Sequence, residues 1–513
     1  MEQEGATVQA VLVQDGKILE TGTFEGLQVH ADDIIDLQGA VMYPGFVDSH
    51  LHMIGHGEKL MRLDLTVATS GEELVQLVKN AADQLHDGQW LIGDGWNENQ
   101  FTDGRIPTKE ELDAVTRSPI FLNRVCHHVA LVNSAALHLA GITINTEDPA
   151  GGKIGRHENN ELNGLLYEQA TNLVSSLFKQ EGESYIESLA QSLQLAIEHM
   201  QSYGLTGGHT EEMSYYGHYL NPLTAYHRVV GERKHFRVNL LRHHAVFEEM
   251  ITNNAQFNEP FIEPGAMKIF ADGSLGGSTA ALMAPYANDE HNKGMLIHTD
   301  TQMEALIQLA RKYNEAVAIH IIGDGAMEQV LQYLEKYPVA EGKRDRLIHC
   351  CVVSEEQLAR MKKLQVILDL QPAFVTSDYP WVNEKLGENR AGHHYAWKTF
   401  IDEGFICAAG TDAPIEAMSP FETIYAAVER KKPKDTHEGY NREQKVSRYE
   451  AVKMYTVGSA EAICKEDERG FIKKGYDADF TILDTDLMKC SPEEILQTSA
   501  LLTVVDGRIV YKK

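Results

Sequence analysis

The sequence predicts an α/β chain built on a (β/α)8 TIM barrel. Three observations carry that expectation. Apolar runs alternate with amphipathic segments through the middle of the chain, the runs number eight, and several end in residues of metal-ligand type. With 513 residues and 43% hydrophobic content, the chain can fill a core of that size.

The first run, "VMYPGFVDSHLHMIG", occupies residues 41 to 55. The others are "LTGGH", "RVNLLRHH", "AMKIFADGS", "EAVAIHIIGD", "RLIHCCVV", "QVILDLQP" and "FICAAGTDAP". Ahead of the second, "YIESLAQSLQLAIEHMQSYG" sets Ile186, Leu189, Ala190, Leu193, Ile197 and Met200 at helical spacing, and Gly204 supplies a C-terminal stop. At the chain's start, "VQAVLVQDGKILETG" alternates about Asp15-Gly16. At its end, "DADFTILDTDL" and "LLTVVDGRIVYKK" do the same, with Asp506-Gly507 as the turn. Neither end has enough strands to stand alone, so residues 1–45 and 467–513 are expected to form one small β-sandwich, with the barrel over 46–466.

Residues from about 60 to 180 do not fit one βα unit and read as an α+β insertion after the first barrel strand. It should hold a helix near 71 to 86, a strand at "QWLIGDGW" and a helix "SAALHLAG" capped by Asn133 or Ser134.

Forty-six Lys and Arg face 75 Asp and Glu, and the formal charge of −29 disfavours nucleic acid and anionic membrane. The six cysteines have no C-x-x-C pair and read as reduced, mostly buried residues. No apolar stretch is long enough to span a bilayer, and the opening "MEQEGATVQA" is unlike a signal peptide, so a cytoplasmic location is expected. The expected partner is a small-molecule substrate, and a homodimer is left open.

On a strand, residues two apart share a face, so His50 and His52 project together. That arrangement suits a metal ion, and equally an exposed strand end. Lys268, His320, His349 and Asp412 close later runs, at the end of a barrel where active sites assemble. Each alone has an ordinary explanation: His320 as a core histidine, Asp412 as a turn before Pro414, Lys268 as a snorkelling side chain. Six such residues in order along the strands are harder to attribute to chance.

The chain resembles the amidohydrolase superfamily, and within it the YtcJ-type group that includes N-substituted formamide deformylases. The likeness rests on "PGFVDSHLH", "GWNENQF", "HHVALVNSAAL", "GGKIGR", "MKIFADGSLGGSTAAL", "IHIIGDGAMEQVL", "RLIHC", "AGTDAPIEAMSPF" and "GFIKKGYDADFTILD". It implies that His50, His52 and Asp412 hold one divalent ion and that His320 and His349 hold a second. Lys268 would bridge them as a carbamate derived from carbon dioxide, since a lysine ammonium cannot bind a cation but a buried, deprotonated amine can be carboxylated. Zinc is the first expectation for such ligands, and manganese or iron suits them too. The implied reaction is attack of metal-bound hydroxide on a small amide, formamide or N-acyl compound, with Asp412 moving the proton. The alternatives are an ester, lactone or cyclic amide as substrate, or a non-catalytic scaffold.

The same likeness implies substrate contact for Trp96 and His128, with packing in the insertion's own core as the alternative for Trp96, and weaker claims for Asp94 and Arg124. Arg390, Tyr395 and Trp397 follow the seventh run and are expected to close over the leaving group. His209, His243 and His244 read as rim or packing residues. "GGKIGR" and "GSLGGS" lack phosphate-loop spacing and read as tight loops near the barrel mouth.

Overall fold

The computed structural model describes residues 1, 3–85, 89–124, 128–149, 151–178, 182–387 and 394–513. The chain forms two compact units, one of Met1–His56 with Leu189–Lys513 and one of Gly57–Ser188.

In the first unit, eight parallel strands form one sheet in chain order: β1 (Phe46–Leu51), β2 (Leu205–Glu211), β3 (Arg237–His243), β4 (Ile262–Phe270), β5 (Val317–Ile321), β6 (Asp345–His349), β7 (Val366–Leu370) and β8 (Cys407–Ala409). Their near-continuous burial is that of strands covered on both faces. The seam between β8 and β1 is closed by individual bonds just past the end of β8. The Asp412 N–H donates to the His50 carbonyl at 2.8 Å, the His52 N–H donates to the Ala413 carbonyl at 2.8 Å, and the Thr411 N–H and hydroxyl donate to the buried Asp48 carboxylate.

The barrel interior has an apolar side, where Leu241, Ala318 and Ile348 pack with Ala266. It also has a charged side, where Arg346 binds the Ser49 carbonyl and Asp369, and Ser49 Oγ donates to Asp369. The helix Glu183–Ser202 runs into β2 through Gly204, whose φ of 87° is the left-handed turn that glycine adopts without strain.

The termini meet as expected. Strands Val41–Pro44, Phe480–Leu483, Ala500–Val505 and Arg508–Lys512 form an antiparallel sheet, and Ala10–Gln14 pairs with Lys17–Gly22 as a separate hairpin. Ile18, Val11 and Val13 of the hairpin pack on Phe480, Ile482 and Val504 of the sheet. Both Asp-Gly turns have positive φ at both residues, the geometry that matches strand twist. A Cβ on Gly16 would meet Asp506 Oδ1 at 2.1 Å, so the two turns touch and only glycine fits there.

The Gly57–Ser188 unit carries a six-stranded mixed sheet. Its strands lie in the order Leu63–Asp64, Leu91–Trp96, Ile120–Arg124, Val129–Val132, Leu162–Glu168 and Gly152–Arg156, the first three parallel. The expected helices are Gly71–Ala82 and Ser134–Leu139, and the Asn133 side chain caps the second by accepting from the Ala136 N–H. "GGKIGR" is not a loop at the barrel mouth. It is the edge strand Gly152–Arg156 of this sheet, held by an antiparallel ladder to Leu162–Glu168.

Among the described residues no helix is long and apolar enough to cross a membrane. Of the six cysteines, Cys350, Cys351, Cys407, Cys464 and Cys490 are free thiols, the first three buried; Cys126 lies outside the described residues.

Candidate active site

The strand ends of the barrel bring His50, His52, Lys268, His320, His349 and Asp412 into one cluster. His50, Lys268, His320 and His349 sit within their strands, His52 lies one residue beyond β1, and Asp412 lies in the turn after β8. Asp412 Oδ1 stands 3.3 Å from His52 Nε2 and 3.6 Å from His50 Nε2. One ligand atom from each of these three residues lies within 4.8 Å of the other two. The His50 and His349 rings are 5.6 Å apart and the His349 and His320 rings 4.5 Å, so the second pair of imidazoles continues directly from the first group.

Three of the four rings are oriented by a bond at the second nitrogen, as metal-binding histidines commonly are, while His50 Nδ1 is buried without a partner. His52 Nδ1 meets the Glu211 carbonyl at 2.8 Å, His349 Nδ1 meets Gln371 Oε1 at 2.6 Å, and His320 Nε2 meets the Gly273 carbonyl at 3.0 Å. Since a carbonyl only accepts, His52 and His320 donate there, which leaves a lone pair on His52 Nε2 and on His320 Nδ1. Asp412 and His349 hold φ of 56° and 75°, left-handed values that cost L-residues energy and are retained where a site demands them.

Burial favours the uncharged form of three of the four imidazoles. It holds His50 and His320 well below the ordinary histidine value and takes His349 down to about 4. His52 is raised, because the Asp412 hydrogen bond and charge outweigh burial. Burial would raise the Asp412 carboxyl, yet its His52 bond and the nearby His349 and Lys268 leave it below the usual range. Lys268 is completely buried, and burial takes its amine down to about 8. Three imidazoles held neutral, a fourth paired with an ionised carboxylate, and a lysine whose amine is much more easily deprotonated than usual are a donor set that a pair of divalent cations would take, so the residues fit the metal the sequence implies.

Several neighbours were not legible as site residues. Gln371 and Glu211 act through the bonds just described, and both Glu211 carboxylate oxygens are buried without a hydrogen-bond partner, its carboxyl pushed up to about 8 by burial. Phe374 stacks on His349 at 5.6 Å, while Phe270 lies 4.7 Å from Lys268 Nζ and 5.3 Å from the His320 ring. Asp272, four residues after Lys268, accepts the N–H groups of Ala281, Ile322 and Gly323. Glu211 is two residues after His209 on β2, and that alternation is the one local signal that could have found it.

The expected substrate residues fare differently. Trp96 is fully buried in the core of the Gly57–Ser188 unit and donates to the Leu122 carbonyl at 3.0 Å, a packing position without a surface for substrate. His128 is an exposed residue of the same unit, bonded to Glu168 at 2.8 Å. Asp94 binds Arg62 and Asn123, and Arg124 binds Glu98. Tyr395 is buried with its hydroxyl on Asp378, and Trp397 is buried beneath the Arg430 guanidinium, so both pack the loop after β7 rather than facing a ligand. Arg390 lies outside the described residues. His209 is buried in the barrel, and His243 and His244 stand half-buried at the end of β3.

Residues 33–511 match the model of the amidohydrolase family. Over its whole length the chain is 44% identical to YtcJ of Bacillus subtilis (strain 168), covering 98% of that protein, and 26% identical to the N-substituted formamide deformylase of Arthrobacter pascens, covering 96% of it. A metal-dependent hydrolase from Pyrococcus furiosus superposes with a TM-score of 0.77 at 30% identity, over 93% of this chain and 95% of that one. A match that spans every barrel strand, with a group at the strand ends that could hold a metal ion, leaves one conclusion: the chain belongs to the amidohydrolase family.

Proposed function

We propose that this protein is a metal-dependent amidohydrolase that cleaves the non-peptide C–N bond of a small amide, formamide or N-acyl compound. The observation that carries the reading is the position of Asp412. Its carboxylate shares a 4.8 Å cluster with two histidines and, with the imidazole lone pairs given to a metal, would be the group of that trio left with a free oxygen to take up and return a proton.

His50, His52 and Asp412 would hold one divalent ion, and His320 and His349 a second, with carboxylated Lys268 between them. Zinc is the first choice, with manganese and iron as alternatives. When bound, the metal supplies Lewis acidity and a water acidic enough to serve as nucleophile near neutral pH. Asp412 accepts the proton of the attacking water and delivers it to the departing nitrogen, which must be protonated to leave as an amine. Gln371 and the Glu211 carbonyl hold the His349 and His52 imidazoles in register, and the Phe270 and Phe374 rings pack against His320 and His349. The net charge of −29 is in keeping with a small molecule as the ligand, and we place the protein in the cytoplasm.

The test is metal analysis of protein prepared with bicarbonate and excess metal, together with a panel of N-formyl, N-acyl and lactone substrates. About two ions per chain with chelator-sensitive amide turnover supports the reading. Turnover confined to lactones or esters moves the assignment to those bonds, and protein that binds no metal is a scaffold.

A further inference from the structure

Tyr215 stands on the turn that follows β2, at the ligand end of the barrel. Its ring centre lies 5.7 Å from that of His52 and 6.4 Å from that of His243. The residue is 46% exposed, whereas Tyr226, Tyr395 and Tyr379 are buried with their hydroxyls on Glu212, Asp378 and His394, and Tyr216, next in the turn, is half-buried. Among the described residues no partner receives or supplies a hydrogen bond at the Tyr215 hydroxyl.

The turn that carries Tyr215 is held firmly. Its first residue, Glu212, is fully buried, and its carboxylate accepts from the Gly55 N–H at 2.9 Å, the Thr210 hydroxyl at 3.0 Å and the Tyr226 hydroxyl at 2.6 Å. The Glu212 carbonyl then accepts the Tyr215 N–H at 3.2 Å. A phenol therefore projects from an anchored turn beside a metal-ligand histidine, and at neutral pH a phenol is a hydrogen-bond donor. Much of the polar surround is committed elsewhere, His52, His320 and His349 through their second nitrogens and Asp272 through three backbone N–H groups, while the Glu211 carboxylate and His50 Nδ1 are buried without a partner and offer no exposed donor.

We infer that Tyr215 is a further catalytic residue, whose hydroxyl donates a hydrogen bond to the substrate's carbonyl oxygen as that oxygen gains negative charge. The inference rests on the amidohydrolase reading above and adds a donor from this chain to the charge stabilisation. A preorganised donor aimed at a developing oxyanion is worth more in the transition state than in the ground state, so its loss lowers kcat more than it raises KM.

Tyr215→Phe removes the oxygen and keeps the ring between His52 and His243. With formanilide as substrate, kcat should fall by about 10²-fold while KM changes by less than about threefold and bound metal stays at the wild-type level. A second arm needs no turnover. Acetohydroxamate, which offers the same site an anionic oxygen, should bind the metal-loaded variant at least about tenfold more weakly by calorimetry, the lower end of the worth of a hydrogen bond to a charged group. Wild-type kcat in the variant, equal hydroxamate affinity, or a fall in rate that tracks lost metal would each overturn the assignment. Wild-type protein that hydrolyses neither formanilide nor any other panel substrate would remove the amidohydrolase reading alone, and the hydroxamate comparison would then decide the role of Tyr215.

Discussion

Lys268 Nζ lies 3.3 Å from His50 Nε2, and both side chains are buried inside the barrel end. An ammonium held against the nitrogen that should bind a cation is an unfavourable neighbour, and burial already shifts the amine to about 8. The proposed carboxylation would turn this conflict into an anionic ligand. Lys268→Ala should therefore lower bound metal from about two ions to one or none and cut the rate by at least about 10²-fold. Acetate or formate should restore part of it by occupying the vacated space. Elemental analysis with and without the short acid checks this, and full metal content with wild-type rate would exclude Lys268 from the centre.

Asp412→Asn keeps an oxygen facing His50 and His52 but removes the proton acceptor. Turnover should drop by roughly 10² to 10⁴-fold while a substantial part of the metal is retained. Steady-state kinetics paired with metal analysis separates this outcome from simple loss of the ion.

Gln371→Leu leaves His349 Nδ1 without its 2.6 Å partner. The ring is then free to turn, and metal affinity should weaken by about 10 to 100-fold, as for other losses of a group that orients a ligand. Competition against a chelator of known affinity measures it. Affinity equal to wild type would mean that stacking on Phe374 suffices to hold the ring.

His209 is buried with Nδ1 unpartnered, and burial, reinforced by the charges of Arg346 and Arg469, holds its pKa well below the ordinary 6.5. A base whose folded pKa is depressed takes up fewer protons folded than unfolded, so its presence destabilises the protein as pH falls below 6.5 toward the folded value. Against His209→Gln, the wild type should lose up to about 1.4 kcal/mol over the first pH unit below 6.5, and no relative stability between pH 7.5 and 8.5. Denaturant midpoints of both proteins at pH 5.5, 7.5 and 8.5 test the sign; a pH-independent difference would show that His209 titrates normally.

Local pattern determined a good deal. Alternating apolar and amphipathic segments marked the eight barrel strands, and Asp15-Gly16 and Asp506-Gly507 marked hairpin turns whose positive φ the structure bears out. The H-x-H pair and the later strand ends supplied the cluster. These features are legible because strand periodicity and turn chemistry depend on neighbours within a few residues. The edge strand at Gly152–Arg156 escaped because paired glycines resemble a loop until a partner strand supplies hydrogen bonds.

What a side chain meets across the fold is another matter. By itself the sequence determined the fold class and the residue types that bind metal, because both follow from short-range spacing. Tertiary structure alone decided that Trp96 and Tyr395 are packed inside their cores, that Gln371 reaches His349, and that Asp412 closes the barrel seam onto His50 while turning its carboxylate to His52. Those outcomes depend on which strands become neighbours after distant parts of the chain come together, and on the burial that follows. The same burial takes Lys268 to about 8 and His349 to about 4, because desolvation is a property of the assembled barrel end and not of any segment within it.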